Sequence, residues 1–426
     1  MKWIHWLKPG LQLKRWLMMG ILGLLLLSLS AGYFMMLFFE TEGWMAWLAG
    51  GLGLLMLIVA FRCGLFSLMK NMKTTPFIAG SQAERKQIQR MVYDKQVLAK
   101  GRKIVVIGGG TGLSVLLRGM KQITSNITVV VTVADDGGGS GVLREDLGML
   151  PPGDIRSCIL ALSEMEPTME RLLQYRFQEG VLKGQSFGNL FIASMNGISG
   201  SFEEAIKKMS EVLAVKGNVY PVTLEDITLY AQLQNGRIIK GESNIPLKSQ
   251  EENSPVDFVF IKPRRVSTLP EIIQAIGEAD AIVLGPGSLY TSIIPNLLVK
   301  NVAESINQSK ASTFYLSNIM TQPGETDHYS ISDHVTALLK NTGLKRLDYV
   351  IANHQKVPTD IEEKYLKEGA EMVLPRPEDE TLLQRKRIRL MTDELVEVKN
   401  NYVRHDAVKT SRKIESLLTR QKYSHN

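Results

Sequence analysis

The stretch IVVIGGGTGLSV at residues 104–115 decides the fold. Its first four residues are apolar and β-branched without alternation, which is typical of a strand buried on both faces of a parallel sheet. Three glycines follow, and a helical pattern begins at about Leu113. In such a unit the backbone approaches a ligand closely, and the helix N-terminus attracts an anion. The stretch predicts a site for an anionic ligand, most often phosphate, with a tight structural turn as the alternative.

The glycine spacing fits neither of two common nucleotide motifs. Counting G-x-G-x-x-G from Gly108 places Leu113 where a dinucleotide fold needs its third glycine. The same leucine stands where a P-loop needs its second glycine, and no lysine follows. An NAD-type dinucleotide binder therefore remains only one alternative.

The pattern downstream predicts one α/β domain over residues 102–410. Further buried strands are expected at 127–133, 281–285, 312–318 and 347–353, with amphipathic helices between them. This alternation indicates a Rossmann-like, mostly parallel sheet that binds ligands at the carboxyl ends of its strands. Residues 218–264 read as a β-rich insertion, because Asn235-Gly236 is a hairpin signal. Residues 411–426 form a tail.

The first 75 residues differ from the rest. Residues 17–39 and 44–61 carry no charge, and each run is long enough to cross a bilayer. A second span so soon after the first disfavours a cleaved signal peptide. Lysines and arginines flank the pair and the connecting ETEG is acidic, so the positive-inside rule places both ends in the cytoplasm. The sequence predicts a membrane anchor of two transmembrane helices in 1–75 and a polar connector over 76–101.

Composition narrows the classes of partner. The chain has 426 residues, of which 44% are hydrophobic, so it can bury a large core. The net charge is +7, but several of the basic residues that produce it flank the two spans. No aromatic and basic RNA-binding motif occurs in the sequence. Nucleic acid is therefore not expected as a partner. Cys63 and Cys158, the only cysteines, indicate a reducing compartment without disulfides or a cysteine metal site.

The stretch VADDGGGSG, which ends the second predicted strand, carries the acidic pair Asp135 and Asp136. A carboxylate in this position accepts hydrogen bonds from a ribose in related folds. Paired carboxylates also bind Mg²⁺ through hard oxygen ligands. An Asx-type turn is the third interpretation.

Two later motifs add polar candidates. LPPGDIRSCILALS predicts a helix capped near Asp154 with Arg156 in its first turn. A cation there opposes the helix dipole, which favours a ligand phosphate or a surface ion pair. The glycine turn in GQSFGNLFIAS brings Ser186 and Asn189 to a helix start, where they bind a base, sugar or phosphate, or act as an N-cap.

The stretch LGPGSLYTSIIPNLL at 284–298 ends a strand in Gly-Pro-Gly and opens a helix at Ser288, a second anion-binding terminus. Because glycine turns after strands of one parallel sheet converge on one edge, a nucleotide cleft is predicted. No G-x-S-x-G elbow or suitable cysteine context indicates a nucleophile. The two Asp-His pairs in DHYSISDH are predicted to be loop and helix-start residues rather than metal ligands.

Seven motifs in order resemble the bacterial gluconeogenesis factor family: GGGTGLSVLLRG, ADDGGGSGVLR, PPGDIRSCILAL, SFGNLFIA, ITLYAQL, GPGSLYTSIIPNLL and NIMTQPGETD. That family is related to 2-phospho-L-lactate transferase, which joins a phospholactyl group to a deazaflavin alcohol. The resemblance covers roughly residues 102–410. It implies a Rossmann-like cytoplasmic protein needed for growth on gluconeogenic carbon sources and for normal cell shape. It also implies a UDP-sugar ligand, notably UDP-N-acetylglucosamine, with no catalytic reaction established.

Motif matching assigns the site residues that the resemblance implies. The diphosphate region would be lined by Gly109, Gly110, Thr111 and Gly112. Around the cleft would lie Asp135, Asp136, Ser140, Arg156, Ser186, Asn189, Gly285, Gly287 and Ser288. Tyr365 and Arg404 would contact the UDP-sugar. The chain departs from the family at Gly139, where a serine is expected, and so lacks a hydroxyl that could have touched phosphate.

Two functions from different classes follow. The first is a UDP-sugar-binding regulatory protein at the inner face of the bacterial membrane, which adjusts cell-envelope metabolism to carbon supply. The second is a phospholactate-type transferase, in which Mg²⁺ near Asp135 and Asp136 neutralises a leaving diphosphate. Catalysis, self-association and regulatory protein partners are left open by the sequence.

Overall fold

The structure is a computed structural model that describes residues 13–37, 51–62, 98–164 and 167–424. The chain divides into two compact units, Met1–Val97 and Leu98–Asn426. Cys63 and nearly all of the predicted connector 76–101 lie outside the described residues.

The described part of the first unit consists of helix α1 (Leu13–Leu37) and helix α2 (residues 51–62). Their backbones meet at Gly23 and Gly53, where a Cβ on either glycine would lie 3.0 Å from the carbonyl oxygen of the other. Among the described residues, no helix combines the length and the apolar character that crossing a membrane requires. The two predicted transmembrane helices therefore find no support in the structure.

The second unit is built on a parallel sheet of seven strands. Its strands are β1 (Ile104–Gly108), β2 (Ile127–Val131), β3 (Asn218–Pro221), β7 (Ala281–Leu284), β8 (Ser312–Leu316), β9 (Tyr349–Asn353) and β10 (Arg389–Asp393). They are arranged in the order β10-β9-β8-β7-β1-β2-β3. Strands β1, β7, β8 and β9 are buried at every residue, as expected when helices cover a parallel sheet. The predicted mostly parallel α/β fold is confirmed.

Helices connect the strands and pack on the sheet. The first half contains α3 (Gly110–Met120), α4 (Gly138–Leu147), α5 (Gly153–Leu162), α6 (Pro167–Gln174), α7 (Phe187–Ser199) and α8 (Phe202–Val212). After the insertion, which holds α9 (Asn244–Glu251), come α10 (Pro270–Glu278), a π-helical turn (Leu289–Ile293), α11 (Ile294–Leu298), α12 (Val302–Gln308), α13 (Ile331–Asn341), α14 (Thr359–Lys367), α15 (Pro377–Arg385) and α16 (Ala407–Ser424). Most of the predicted tail thus belongs to α16, which packs on α3 so closely that a Cβ on Gly119 would lie 2.1 Å from the Ala407 carbonyl oxygen.

The β-rich segment predicted over 218–264 divides between two sheets. Strand β3 pairs with β2 in parallel and forms the edge of the main sheet. The remaining strands, β4 (Thr228–Leu233), β5 (Ile238–Lys240) and β6 (Val256–Lys262), form a separate antiparallel sheet in the order β5-β4-β6. The hairpin turn lies at Asn235-Gly236 as predicted, and Gly236 has a φ of 86°.

A short hairpin near the C-terminus completes the unit. It consists of β11 (Val396–Lys399) and β12 (Tyr402–His405). Beneath it lies a small hydrophobic cluster of Ile319, Val357, Ile361 and Val396, separate from the main core. The hairpin therefore rests on its own packing and forms a wall beside the main sheet.

Candidate functional site

A cleft of about 650 Å³ opens at the carboxyl ends of β1, β7 and β8. The sheet order runs from β1 to β2 and β3 on one side and to β7 and β8 on the other. Crevices at such a reversal of strand order are the usual ligand sites of open α/β sheets. The cleft therefore lies where the sequence predicted it.

A carboxylate packs against the glycine turn after β1, behind the part of the turn that lines the cleft. Asp154 Oδ2 accepts a hydrogen bond of 2.7 Å from the Gly110 backbone N–H. A Cβ on Gly109 would lie 2.6 Å from the same oxygen and 2.6 Å from Thr132 Cγ2. The helix predicted to be capped near Asp154 does begin there, at Gly153, but the Asp154 carboxylate reaches this glycine turn and does not cap α5. Thr111 and Gly112 remain on the cleft side of the turn.

The second glycine turn, after β7, touches the first. A Cβ on Gly287 would lie 2.9 Å from the Gly109 carbonyl oxygen, so neither backbone has room for a side chain there. Gly285 has a φ of 82°, a left-handed conformation that favours glycine. Asn296 on α11, a residue that the sequence analysis missed, donates a 3.2 Å hydrogen bond to the Gly108 carbonyl oxygen. These contacts hold the two glycine turns together, and the two turns form the floor of the cleft.

A row of polar side chains continues this floor toward β8. Gln322 Nε2 donates to Ser288 Oγ at 2.7 Å, and Asn318 Nδ2 donates to Gln322 Oε1 at 3.3 Å. Asn318 Oδ1 is buried, and no partner for it occurs within the described part of the chain. Of these three residues, only Ser288 was predicted from the sequence. The only sequence signal for the two amides is the motif NIMTQPGETD, which gives no reason to choose these positions.

The opposite wall comes from α14 and the C-terminal hairpin. Tyr365 Oη accepts a 3.0 Å hydrogen bond from the Val403 backbone N–H and so ties β12 to α14. Arg404 is exposed on this wall. The neighbouring His405 is buried, and burial lowers its pKa to about 4. At neutral pH the wall therefore offers a guanidinium cation and an uncharged imidazole.

The structure separates the predicted site residues into three groups. Those that line the cleft are Gly110, Thr111, Gly112, Gly287, Ser288, Tyr365 and Arg404. Gly109 and Gly285 shape the turns without lining the cleft. A third set is not part of the cleft wall: Asp135, Asp136, Ser140, Arg156, Ser186 and Asn189. A role in ligand binding stays a prediction for all of them.

The acidic pair is engaged with backbone groups. Asp135 Oδ1 accepts from the Gly137 N–H at 2.9 Å, the Asx-type turn that was one of three interpretations. Asp136 accepts from the N–H groups of Glu242 and Ser243 at 3.0 and 2.9 Å, and so ties the insertion to the main domain. Over the described residues, no group of three or more acidic, histidine or cysteine side chains is placed to hold a metal ion. A Mg²⁺ site at Asp135 and Asp136 stays a prediction.

Three carboxylic acids near the cleft, the buried Glu325 and the partly buried Asp154 and Glu242, have raised pKa values. Burial, with the Asp135 carboxylate nearby, raises the pKa of Asp154 to about 6, although the Gly110 N–H opposes the shift. Burial and the surrounding carboxylates of Asp135 and Glu325 raise the pKa of Glu242 to about 8. Burial raises that of Glu325 to about 7. These groups bind and release protons near neutral pH.

The surroundings of Gly139 leave limited space for a side chain. A Cβ there would lie 2.8 Å from the side-chain oxygen of Gln185 and 3.3 Å from the Gly184 carbonyl oxygen. The serine expected from the family pattern would therefore require the end of the flexible Gln185 side chain to shift.

Other reactive side chains lie outside the cleft. Cys158 is fully buried in α5, and burial raises the pKa of its thiol. In the DHYSISDH stretch, Asp333 forms a capping box with Ser330 at the start of α13, which confirms the predicted helix start. His334 is buried, and its Nδ1 donates a hydrogen bond of 2.8 Å to the Ser330 carbonyl oxygen, so Nδ1 carries the proton.

Comparison with known proteins identifies the family. The model of the family described as 2-phospho-L-lactate transferase CofD matches residues 104–396. A protein of Bacillus subtilis named "Gluconeogenesis factor" is 46% identical over 319 residues, which is 74% of this chain and 98% of the relative. The chain belongs to the gluconeogenesis factor family. Its family domain is CofD-like and contains both glycine turns.

Two further relatives define how far the likeness reaches. A crystal structure of a Bacillus halodurans family member has a TM-score of 0.71 at 44% identity, and covers 74% of this chain and 99% of the other. A Clostridium acetobutylicum family member is 47% identical over 418 residues, 96% of this chain and 90% of its own length. Some family members thus share nearly the whole chain, and others share about three quarters of it.

Proposed function

We propose that this protein is a regulatory protein that binds a UDP-sugar, notably UDP-N-acetylglucosamine, in the cleft. One observation carries the proposal: two glycine turns that touch each other face a wall bearing Arg404, across a space of about 650 Å³. Nucleotide-sized ligands occupy clefts of this size at the same position in open α/β sheets. Membership of the gluconeogenesis factor family supports a role in carbon metabolism.

The groups that line the cleft suit the diphosphate of the ligand and the base and sugar that it joins. The first-turn N–H groups of α3 have no carbonyl partner within the helix, and the helix dipole is positive there. Arg404 supplies a fork of donors for phosphate oxygens. The Asn318 and Gln322 amides offer donors and acceptors for the polar edge of a base or sugar.

The residues that line the cleft favour binding over catalysis. In the part of the chain that the structure describes, they include no cysteine, and their one imidazole is the buried His405 with a lowered pKa. Their hydroxyls are not paired with a histidine, as an activated nucleophile would be.

Calorimetric titration of the protein with UDP-N-acetylglucosamine tests the proposal. We expect saturable binding, at least about tenfold weaker in Arg404→Ala, because a charged hydrogen bond to phosphate is lost. Arg412→Ala is the matched control, since Arg412 is also exposed but lies on α16 and does not line the cleft. Absence of heat at millimolar ligand, or equal affinity in Arg404→Ala, would contradict the proposal.

The cellular role has its own test. We propose that the occupied protein adjusts cell-envelope synthesis and cell shape to carbon supply. A deletion strain should grow poorly and misshapen on a gluconeogenic carbon source. The wild-type gene should restore both properties, whereas a gene encoding Arg404→Ala should not. Full restoration by the variant would separate ligand binding from the cellular role.

A transferase is the second candidate, favoured by the family model that matches residues 104–396. The raised pKa values of Asp154 and Glu242 would also suit proton transfer beside the cleft. Purified protein incubated with a phospholactyl donor, an acceptor alcohol and Mg²⁺ would release product if this candidate is right. Binding without turnover would leave the regulatory function.

Attachment to the bacterial membrane, with Leu98–Asn426 in the cytoplasm, is proposed from the sequence. Its support is the uncharged runs at 17–39 and 44–61, their basic flanks and the outward leucines of the first unit, such as Leu25 and Leu55 at 54% and 58% exposure. Membrane fractions washed with carbonate should retain the full chain. Alkaline phosphatase fused after Lys100 should be inactive, and activity there would place the domain outside.

A further inference from the structure

A largely buried arginine beside the cleft is bonded only to neutral groups. Arg156 Nη1 donates to Ser186 Oγ and to Asn189 Oδ1, the latter at 2.9 Å, and Nη2 lies 3.4 Å from Ser157 Oγ. No ion pair of Arg156 occurs among the described residues. Buried guanidinium groups are ordinarily paired with an anion, because an uncompensated charge is costly away from water.

Nearby charges do not supply that partner. Burial lowers the pKa of Arg156, and the guanidinium of Arg176 lowers it further. The carboxylates of Asp154 and Asp135 oppose this effect only through space, and Asp154 Oδ2 already accepts from the Gly110 N–H. Arg156 Nε is buried and has no hydrogen-bond partner among the residues that the structure describes. The guanidinium is thus left with positive charge to be balanced.

The surroundings of Arg156 are built to hold it in place. Ser186 is the N-cap of α7, where its Oγ also accepts from the Asn189 N–H at 3.2 Å. The positive end of the α7 dipole therefore meets the guanidinium. At Gly188, in the first turn of α7, a Cβ would lie 2.6 Å from Arg156 Cδ, so a side chain there would displace the arginine. Arg176 pairs through its backbone with Ser186 and so stands on the same side.

We propose that Arg156, Arg176 and the N-terminus of α7 form a second anion site, for a phosphoryl group, separate from the UDP-sugar cleft. A guanidinium fork and helix N–H groups are the donors that bind tetrahedral phosphate oxygens. The separation follows from the lining of the cleft, which includes none of Arg156, Arg176, Ser186 and Asn189. The protein would then sense a phosphorylated compound or free phosphate together with its nucleotide sugar.

Titration of the full chain with inorganic phosphate at constant ionic strength tests this site. We expect saturable binding that is at least about tenfold weaker in Arg156→Gln, since a charge-assisted bidentate contact is removed. Arg176→Gln should weaken it about threefold, as expected for a more exposed charge. Arg102→Gln is the control: it removes the same charge from an arginine that pairs with Asp280 at 3.0 Å before β1, and should leave phosphate affinity unchanged.

Several outcomes would overturn the proposal. Phosphate that fails to saturate the wild-type protein, or that binds Arg156→Gln as tightly as wild type, removes the site. Displacement of all bound phosphate by one equivalent of UDP-N-acetylglucosamine would show a single shared site. If Arg156→Gln does not fold, Arg156→Lys keeps the charge without the fork and should still weaken phosphate binding about fivefold.

Discussion

At the scale of single residues, three carboxylic acids near the cleft have pKa values that are raised toward neutral pH. Glu242 illustrates the cause: burial is the largest contribution to its raised pKa, and the neighbouring carboxylates of Asp135, Glu325 and Asp136 add to it. The folded protein therefore holds this proton more tightly than the unfolded chain does. Its contribution to stability is complete below the unfolded pKa of 4.5 and is lost as pH rises through about 8.

Replacing Glu242 by glutamine should remove that pH dependence. We expect Glu242→Gln to raise the free energy of unfolding by about 2 kcal/mol at pH 8.5 and to change it little at pH 5. Urea denaturation at both pH values measures the difference. Glu211→Gln, which changes an exposed glutamate, should show no such dependence. An equal effect of Glu242→Gln at the two pH values would contradict the assigned cause.

Gly109 provides a second test at the residue scale. Its φ of −170° suits any residue, so only space excludes a side chain. Because a Cβ would lie 2.6 Å from Asp154 Oδ2, Gly109→Ala should break the contact with Gly110 and destabilise the protein by about 2 kcal/mol. It should also weaken UDP-N-acetylglucosamine binding. Thermal unfolding and calorimetry measure the two effects.

Gly277→Ala is the matched control for that substitution. Gly277 lies in α10, and a Cβ there would meet nothing within 4 Å. Alanine should therefore stabilise the helix by about 0.5 to 1 kcal/mol. Similar melting temperatures for the two variants would mean that the turn after β1 relaxes more easily than its contacts indicate.

At the scale of elements, the cleft has a rigid floor and a separately packed wall. The floor rests on the main core, whereas β11 and β12 rest on the small cluster that contains Ile319, Val357, Ile361 and Val396. Few contacts hold such a wall, so the Tyr365 hydroxyl that binds the Val403 N–H matters for the position of Arg404.

Tyr365→Phe should loosen the wall without unfolding the domain. We expect UDP-N-acetylglucosamine affinity to fall about fivefold, while the free energy of unfolding falls by only about 1 kcal/mol, the usual value of one hydrogen bond. Faster hydrogen exchange over 396–405 should accompany the loss. Tyr175→Phe, at an exposed tyrosine before α7, is the control. Unchanged exchange in Tyr365→Phe would show that the hydroxyl does not position the hairpin.

At the scale of the whole molecule, Leu98–Asn426 is a compact unit. The Bacillus subtilis family member aligns over 98% of its own length with only 74% of this chain, so a family member can consist almost entirely of such a part. A fragment beginning at Leu98 should therefore fold alone, with a single cooperative unfolding transition. It should bind UDP-N-acetylglucosamine with the affinity of the full chain. Calorimetry on both proteins measures this, and a weaker fragment would show that the first unit does more than attach the chain.

Local patterns in the sequence were sufficient for five of the seven parallel strands, the glycine turns and the family, whereas β10 was not predicted and β3 was assigned to the insertion. Apolar β-branched runs indicate buried strands wherever they occur, and a glycine turn between strand and helix indicates an anion site without reference to distant residues. The Asn235-Gly236 hairpin belongs to the same class, because two adjacent residues determine the turn.

Contacts between distant segments were decided only by the tertiary structure. The order β10-β9-β8-β7-β1-β2-β3 brings Asp154 to Gly110 and Gln322 to Ser288, pairs that are 44 and 34 residues apart. It also draws β3 into the main sheet and leaves Arg156 facing Ser186 rather than the cleft. Composition and periodicity state which residues are buried and which strands form. They do not state which strand lies beside which, and that arrangement selects the partner of every buried charge.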